Sequence, residues 1–84
     1  MSSLFPEFYD RALDELVRAR RKAAVTQTTL ANQLGRPQSF VAKYEAKERR
    51  LDMAEFVMIA RLLGADSHKL LKAAEMVSPG EARE

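Results

Sequence analysis

The residues with the clearest chemical potential in this sequence lie between positions 38 and 46. Placed on a helix at about 100° per residue, Gln38, Ser39 and Lys43 share one arc with two alanines. An amide matches the acceptor and donor of adenine, a hydroxyl can pair with either kind of base, and an ammonium group can donate to guanine or to a phosphate. The segment therefore has the residue types of a helix that reads base edges, although an ordinary solvated helix face would carry the same pattern.

Two short helices joined by a tight turn would position these side chains. The first helix starts after Thr26, whose hydroxyl can cap it, and stops at Gly35, which enters the left-handed conformation at low cost. Pro37 then suits the start of the second helix. Both helices carry apolar residues that must dock on the rest of the chain: Leu30, Ala31 and Leu34 in the first, and Phe40, Val41 and Tyr44 in the second. This spacing predicts a helix-turn-helix whose second helix, 38–46, enters the major groove of DNA.

Three further helices are predicted around this pair, which makes the fold class all-α. Asp52 caps one of them, with Glu55 three residues later as its capping-box partner. The predicted bounds are Pro6 to Ala23, Asp52 to Gly64, and Asp66 or Ser67 to Val77. No segment alternates with period two, so no sheet is expected. We expect one domain over 1–78, with residues 1–9 as an N-terminal extension on the first helix and 79–84 as a flexible tail.

Charge is unevenly distributed along the chain. The 84 residues carry a formal net charge of +2. Residues 11–50 hold ten Lys and Arg against four Asp and Glu, whereas the other positions hold four against eight, so the two parts carry +6 and −4. A basic segment of this kind suits a polyanion such as DNA, and scattered solvating charge explains it equally well.

Several kinds of chemistry lack the residues that they need. The sequence has no cysteine, which excludes disulfides and thiolate metal sites and is compatible with a reducing cytoplasm. His68 is the only histidine, and the sequence contains no histidine–carboxylate metal spacing and no glycine-rich phosphate loop. We therefore expect no enzyme activity, no metal and no cofactor. The N-terminus does not resemble a signal peptide and no apolar stretch is long enough to span a bilayer, so we expect a cytoplasmic protein.

Residues 16–71 resemble the Cro/C1-type helix-turn-helix family of bacterial and phage regulators, also called the XRE family. The match covers about two-thirds of the chain. The residues that carry it are Thr26-Gln27, Leu30-Ala31, Leu34-Gly35, Pro37-Gln38-Ser39, Val41, Tyr44-Glu45, Arg49-Arg50-Leu51 and the segment IARLLGAD that begins at Ile59. The resemblance implies a five-helix bundle of the lambda-repressor-like DNA-binding type. It also implies a bacterial or phage-encoded transcription regulator that associates with the nucleoid, and we favour a repressor over an activator.

The resemblance also implies a role for individual residues. Base contacts would come from Gln38, Ser39 and Lys43, and phosphate contacts from Gln27, Arg36 and Arg50. Backbone amides around Ala46 to Glu48 would add further phosphate contacts. Arg20 and Glu45 match a pair that forms an internal salt bridge between the first and third helices. That role agrees with the position of Glu45 at the edge of the apolar arc, where an unpaired carboxylate would be costly.

Three positions depart from the family pattern. Ala24 and Lys47 stand where the family has glycine after the first and third helices, so each must adopt an unfavourable conformation or lengthen its helix. Phe40 stands where the family often has a smaller or polar residue. We expect it to pack inward against Tyr44, and contact with a thymine methyl is the alternative.

The expected partner is double-stranded DNA with a near-palindromic operator, bound by a homodimer whose recognition helices lie about 34 Å apart. Two apolar regions could form the dimer: residues 4–9, with Leu4, Phe5, Phe8 and Tyr9, and the last helix, with Leu71, Met76 and Val77. We favour the last helix. The alternative function is a protein-interaction module of the same fold, such as a toxin-neutralising antitoxin that also regulates its own synthesis. Such a protein would use one of these regions to bind its protein partner.

Overall fold

The computed structural model describes residues 4–75, which form five helices and, over that range, no strand. In chain order the helices are α1 Leu4–Lys22, α2 Gln27–Leu34, α3 Gln38–Glu45, α4 Met53–Leu62 and α5 Ser67–Glu75. The predicted all-α, five-helix fold is confirmed. No helix within these residues is long and apolar enough to cross a membrane. The predicted tail, and the predicted continuation of the last helix to Val77, lie outside the described residues.

Side-chain caps fix the starts of two helices, as the sequence predicted. The Thr26 hydroxyl accepts a hydrogen bond from the amide of Thr29 at 3.0 Å and so opens α2. Asp52 and Glu55 form a complete capping box at α4, in which each carboxylate accepts from the other residue's amide, at 2.7 and 3.0 Å. These bonds satisfy amides that have no partner within the first turn of a helix.

Several predicted helix bounds are wrong by a residue or two. The first helix ends at Lys22 and not at Ala23, and the helix predicted from Asp52 to Gly64 is Met53–Leu62. The first helix begins at Leu4 and not at Pro6. A proline is tolerated there because the amides of the first turn have no partner inside the helix, so its missing N–H costs nothing. The third helix, predicted over 38–46, ends at Glu45, and Ala46 is its C-cap with φ −81° and ψ 0°.

Four helix ends close through the same kind of turn. In each, one residue is left-handed and the next amide donates to a carbonyl five residues earlier, at 2.8–3.1 Å. The left-handed residues are Ala24 at φ 59°, Gly35 at 69°, Lys47 at 65° and Gly64 at 70°. Ala24 and Lys47, which stand where the family has glycine, therefore adopt the left-handed conformation. This conformation costs about 1–2 kcal/mol for each residue.

The first helix is the support on which α3, α4 and α5 dock, whereas α2 packs on α3 and α4. Leu13 and Leu16 are fully buried at its centre, and most of its contacts are with α5. The Arg11 Nε donates to the carbonyl of Ala74 at 2.7 Å, which joins α1 to α5. The other helices contribute Leu30, Ala31, Phe40, Val41, Tyr44, Phe56, Ile59, Ala60 and Ala74 to the core, together with Leu63 at the C-cap of α4. Because α3 contributes three of them, this helix is fixed to the core along one side.

Candidate nucleic-acid interface

The two arcs of α3 have opposite environments. Gln38, Ser39 and Lys43 are exposed, whereas the apolar arc is buried. Phe40 is only 7% exposed and meets Tyr44 edge to face, with ring centroids 5.7 Å apart. The expectation that Phe40 packs inward is therefore confirmed. The side chains with base-reading chemistry lie together on the solvent side of a helix whose other side is held in the core.

Gln38 is tied to the second helix by a side-chain hydrogen bond. Its Nε2 donates to Oε1 of Gln27 at 2.7 Å. The Nε2 of Gln27 in turn donates to Oε1 of Glu45 at 2.8 Å. Gln27, for which the resemblance implied a phosphate contact, is therefore engaged within the protein at both ends of its amide. This arrangement restricts the Gln38 side chain before any ligand arrives.

The same series of hydrogen bonds continues from Glu45 to Arg20, which form an ion pair between α3 and α1. The Nε and Nη2 of Arg20 donate to the two carboxylate oxygens of Glu45 at 2.6 and 3.0 Å. Nη1 of Arg20 donates to the carbonyl of Val25 at 2.9 Å. The two side chains are only 12% and 9% exposed. The hydrogen bonds to Glu45 raise the pKa of Arg20 above its ordinary value. The structure thus brings this predicted pair together, in a position to fix the end of α3.

Arg36 and Arg49 flank the ring of Phe40 on the side of α3 next to α4. Their guanidinium carbons lie 4.5 and 4.6 Å from the ring centroid. Glu55 of α4 pairs with both, with contacts of 3.3 Å to Arg36 and 3.1 Å to Arg49. Its hydrogen bonds with Arg49, followed by that with the Asp52 amide, lower the pKa of the Glu55 carboxyl. Arg36 was predicted as a phosphate contact, whereas the sequence reasoning assigned no role to Arg49. The signal available in the sequence was an aromatic residue at position 40 with arginines on both sides.

Arg50 is placed differently from its neighbour. Its guanidinium carbon lies 4.1 Å from the ring centroid of Tyr9 on α1, and the rest of its surroundings leave it exposed. The Tyr9 hydroxyl accepts a hydrogen bond from the amide of Leu51 at 2.8 Å, so the ring itself is held in place. Stacking of this kind orients an arginine without consuming its N–H donors.

The turn after α3 does not present the amides that the resemblance implied. The amides of Ala46, Lys47 and Glu48 donate to carbonyls within α3, at 2.9–3.0 Å. They are already satisfied, so the expectation that they contact phosphates is wrong for this conformation. Lys47 instead reaches back to α1, where its Nζ lies 2.6 Å from Oδ1 of Asp14. The Lys47–Asp14 contact therefore joins α1 to the end of α3, in addition to the Arg20–Glu45 ion pair.

Other possible sites in residues 4–75 lie away from the polar arc of α3, formed by Gln38, Ser39 and Lys43, or lack suitable ligands. An open cleft of about 590 Å³ lies between the end of α1 and the start of α5, lined by cations such as Lys22 and Lys69 and by the acids Glu15 and Asp66. Within the described residues no three His, Asp or Glu side chains come together as a metal site. His68 is exposed at the start of α5.

A comparison with solved structures adds a relative of this chain. The XRE-family like protein from Pseudomonas syringae pv. tomato str. DC3000 is 45% identical in sequence and superposes with a TM-score of 0.83. The match covers 92% of this chain and 94% of that protein's chain. No protein-family model and no curated protein matches the sequence.

Proposed function

Because the chain belongs to the XRE family of helix-turn-helix proteins, we propose that it is a sequence-specific transcription regulator that represses by occupying double-stranded DNA. Its fold is of a DNA-binding regulatory type and not of an enzyme type. The observation that carries the proposal is the division of α3 into a solvent-facing polar arc and a buried apolar arc. A helix held in this way can enter the major groove as a rigid element. The protein would act in the cytoplasm, on the nucleoid of a bacterial host.

Base recognition would come from Gln38, Ser39 and Lys43. The hydrogen bond from Gln38 to Gln27 supports this assignment, because a side chain that is already oriented loses less conformational entropy on binding. An amide in this position can form the paired contact with adenine. Phosphate contacts would come from Arg36 and Arg50, which are both exposed on either side of α3. Gln27 could add a phosphate contact only by giving up one of its two internal partners.

A homodimer would present two copies of α3 to a near-palindromic operator. The exposed apolar side chains of the described residues are concentrated on α4, where Met53 is 81%, Val57 39% and Met58 47% exposed. On α5 only Leu71 reaches 36%. On a helix at about 100° per residue these three side chains span an arc of about 140°. We propose this broad apolar stripe of α4 as the dimer contact. The alternative on the last helix includes Met76 and Val77, which lie outside the described residues.

A two-fold axis near Val57 would bring the same face of α4 from two copies together, as an isologous contact requires. Substituting Val57 with glutamate should therefore give a monomer, measured by sedimentation at several concentrations. A variant at Leu71 is the matched control and should leave the dimer unchanged.

The decisive experiment for the function is selection of bound sequences from random DNA, followed by fluorescence anisotropy over a range of salt concentrations. Gln38→Ala should cost about 1–3 kcal/mol on the selected site and relax preference at one base position. Arg50→Ala should weaken binding to all duplexes and lower the salt slope by about one. Absence of salt-dependent binding by the wild-type protein would refute the proposal.

The stripe on α4 also supports the second candidate function, an antitoxin-like module that binds another protein. A partner protein could cover Met53, Val57 and Met58 in place of a second copy. The oligomeric state separates the two possibilities. A protein that stays monomeric even on its selected DNA site would favour the antitoxin-like module over the dimeric repressor.

A further inference from the structure

Arg36 and Arg49 form a pair of guanidinium groups around a single aromatic ring. They belong to different segments, the turn before α3 and the loop after it, yet both lie within 4.6 Å of the Phe40 ring centroid. Because the Phe40 ring is almost completely buried, both guanidinium groups contact a ring that is held in the core. Their side chains remain 44% and 38% exposed. Two cations are thus held side by side at the surface, which ordinary solvated arginines are not.

Glu55 is the counter-ion of both arginines. Its Oε2 lies 3.3 Å from Nη2 of Arg36, and its Oε1 lies 3.1 Å from Nη1 of Arg49. A second bond of 3.3 Å joins Oε2 to Nη2 of Arg49, so the carboxylate is gripped by a guanidinium fork. One carboxylate between two guanidinium groups leaves a local excess of positive charge. The geometry is that of a bidentate anion site in which the anion belongs to the protein itself.

The two arginines and Phe40 lie next to the polar arc of α3. On a helix at about 100° per residue, Phe40 stands about 60° from Lys43, the outermost residue of the polar arc. The two arginines therefore lie along the flank of α3 that faces α4. When α3 occupies a major groove, the sugar-phosphate backbone that borders the groove runs past this flank. Each guanidinium has five N–H donors, so both retain donors beyond those that contact Glu55.

We propose that Arg36 and Arg49 together grip a backbone phosphate of DNA, and that Glu55 competes with the phosphate for both guanidinium groups. The proposal rests on the DNA-binding function proposed above. Arg49 becomes a phosphate contact, and Glu55 becomes a residue that lowers affinity for DNA of any sequence. Phosphate contacts supply most of non-specific binding, whereas base contacts distinguish sequences. A carboxylate that weakens the first kind of contact therefore lowers the affinity for all duplexes and leaves the reading of bases unchanged.

Glu55→Gln is a clean test of this competition. Glutamine can keep the capping box with Asp52, because either Glu or Gln serves at that position, and it removes the charge that holds the arginines. Thermal unfolding of the variant would verify that α4 remains intact. Glu75→Gln on α5 is the matched control, since it makes the same change in net charge at an exposed site on another helix. Binding to a random-sequence duplex and to the selected site would be measured by anisotropy over a range of salt concentrations.

Glu55→Gln should bind the random duplex about two- to fivefold more tightly than the wild type, the range expected for an ion pair that is partly exposed. Its affinity for the selected site should rise by a similar factor, because the phosphate contact carries no sequence information. Arg49→Gln should bind more weakly and show a salt slope lower by about one, and adding Glu55→Gln to it should give a smaller gain than in the wild type. Equal effects of Glu55→Gln and Glu75→Gln, or a full gain in the Arg49→Gln background, would overturn the competition while leaving the DNA-binding function intact. Failure of the wild-type protein to bind any duplex would overturn both.

Discussion

Replacing Glu45 by alanine should remove a large part of the stability of this protein. The carboxylate accepts hydrogen bonds from Arg20 at 2.6 and 3.0 Å and from Gln27 at 2.8 Å. After the substitution the Val25 carbonyl is the remaining hydrogen-bond partner of the Arg20 guanidinium, at 2.9 Å. Removing one member of a buried pair costs about 3–5 kcal/mol, because the other charge is left uncompensated. Since Arg20 keeps 12% of its side chain exposed, we expect a loss near the lower end, about 3 kcal/mol.

A loss of about 3 kcal/mol is large relative to the total free energy of unfolding of a chain of this size. At roughly 0.05–0.15 kcal/mol per residue, a chain of 84 residues has about 4–13 kcal/mol of stability. Urea unfolding followed by far-UV circular dichroism would measure the change. With a slope of about 1–3 kcal/mol/M, the unfolding midpoint should fall by roughly 1–3 M.

A double variant separates the stranded charge from simple loss of packing. Arg20→Met combined with Glu45→Leu replaces both charges with apolar side chains of similar size, and such replacements are often neutral or stabilising. The double variant should therefore be clearly more stable than Glu45→Ala alone. A loss below about 1 kcal/mol for Glu45→Ala, the value of an exposed pair, would refute the buried-pair reasoning. Full stability with loss of DNA binding would show instead that Glu45 acts at the interface.

Four further substitutions or conditions test other features. Ala24→Gly should raise the free energy of unfolding by about 0.5–1 kcal/mol in urea, because relief of left-handed strain exceeds the added entropy of the unfolded chain. Tyr44→Phe should raise it by about 1 kcal/mol, since the buried Tyr44 hydroxyl has no hydrogen-bond partner among the described residues; a decrease would show that the hydroxyl is satisfied. Gln27→Ala should loosen base preference without weakening binding to random duplexes, whereas an equal loss on all sequences would indicate a phosphate contact. The lowered pKa of Glu55 contributes stability that is present above its ordinary value of 4.5 and lost as pH falls below it, and acid titrations should show a smaller loss for Glu55→Gln.

The helix starts were predictable because their signals are local. Thr26 and Asp52 satisfy amides within three residues of themselves, so the residue type and its spacing determine the cap. Gly35 marks a helix end for the same reason, since only the backbone of that residue must become left-handed. The conformation of Ala24 could not be predicted from local signals. A left-handed alanine and a longer helix were both compatible with the sequence. In the structure Ala24 is left-handed at φ 59°, and the Val25 amide closes the turn on the Arg20 carbonyl at 3.1 Å.

The site was predictable as a set of residue types on one arc, but not as a set of contacts. Helical periodicity alone placed Gln38 and Lys43 on the solvent side of α3. It could not show that Gln38 bonds to Gln27, because these two side chains are 11 positions apart and meet only when α2 and α3 cross. The assignment of phosphate contacts to backbone amides failed for a related reason, since the turn at Lys47 closes on α3 and uses those amides itself.

The sequence by itself determined the five helices, the buried arc of α3 and the polar arc opposite it, because caps, breakers and helical periodicity act over a few residues. It also indicated the Arg20–Glu45 pair, through its resemblance to a family. Only the tertiary structure decided how these parts are joined: Gln27 between Gln38 and Glu45, and Phe40 between two arginines that share Glu55. These groups come from separate segments, and hydrogen bonds and ion pairs form only within about 3–4 Å. Their partners are therefore set by the packing of the helices and not by spacing along the chain.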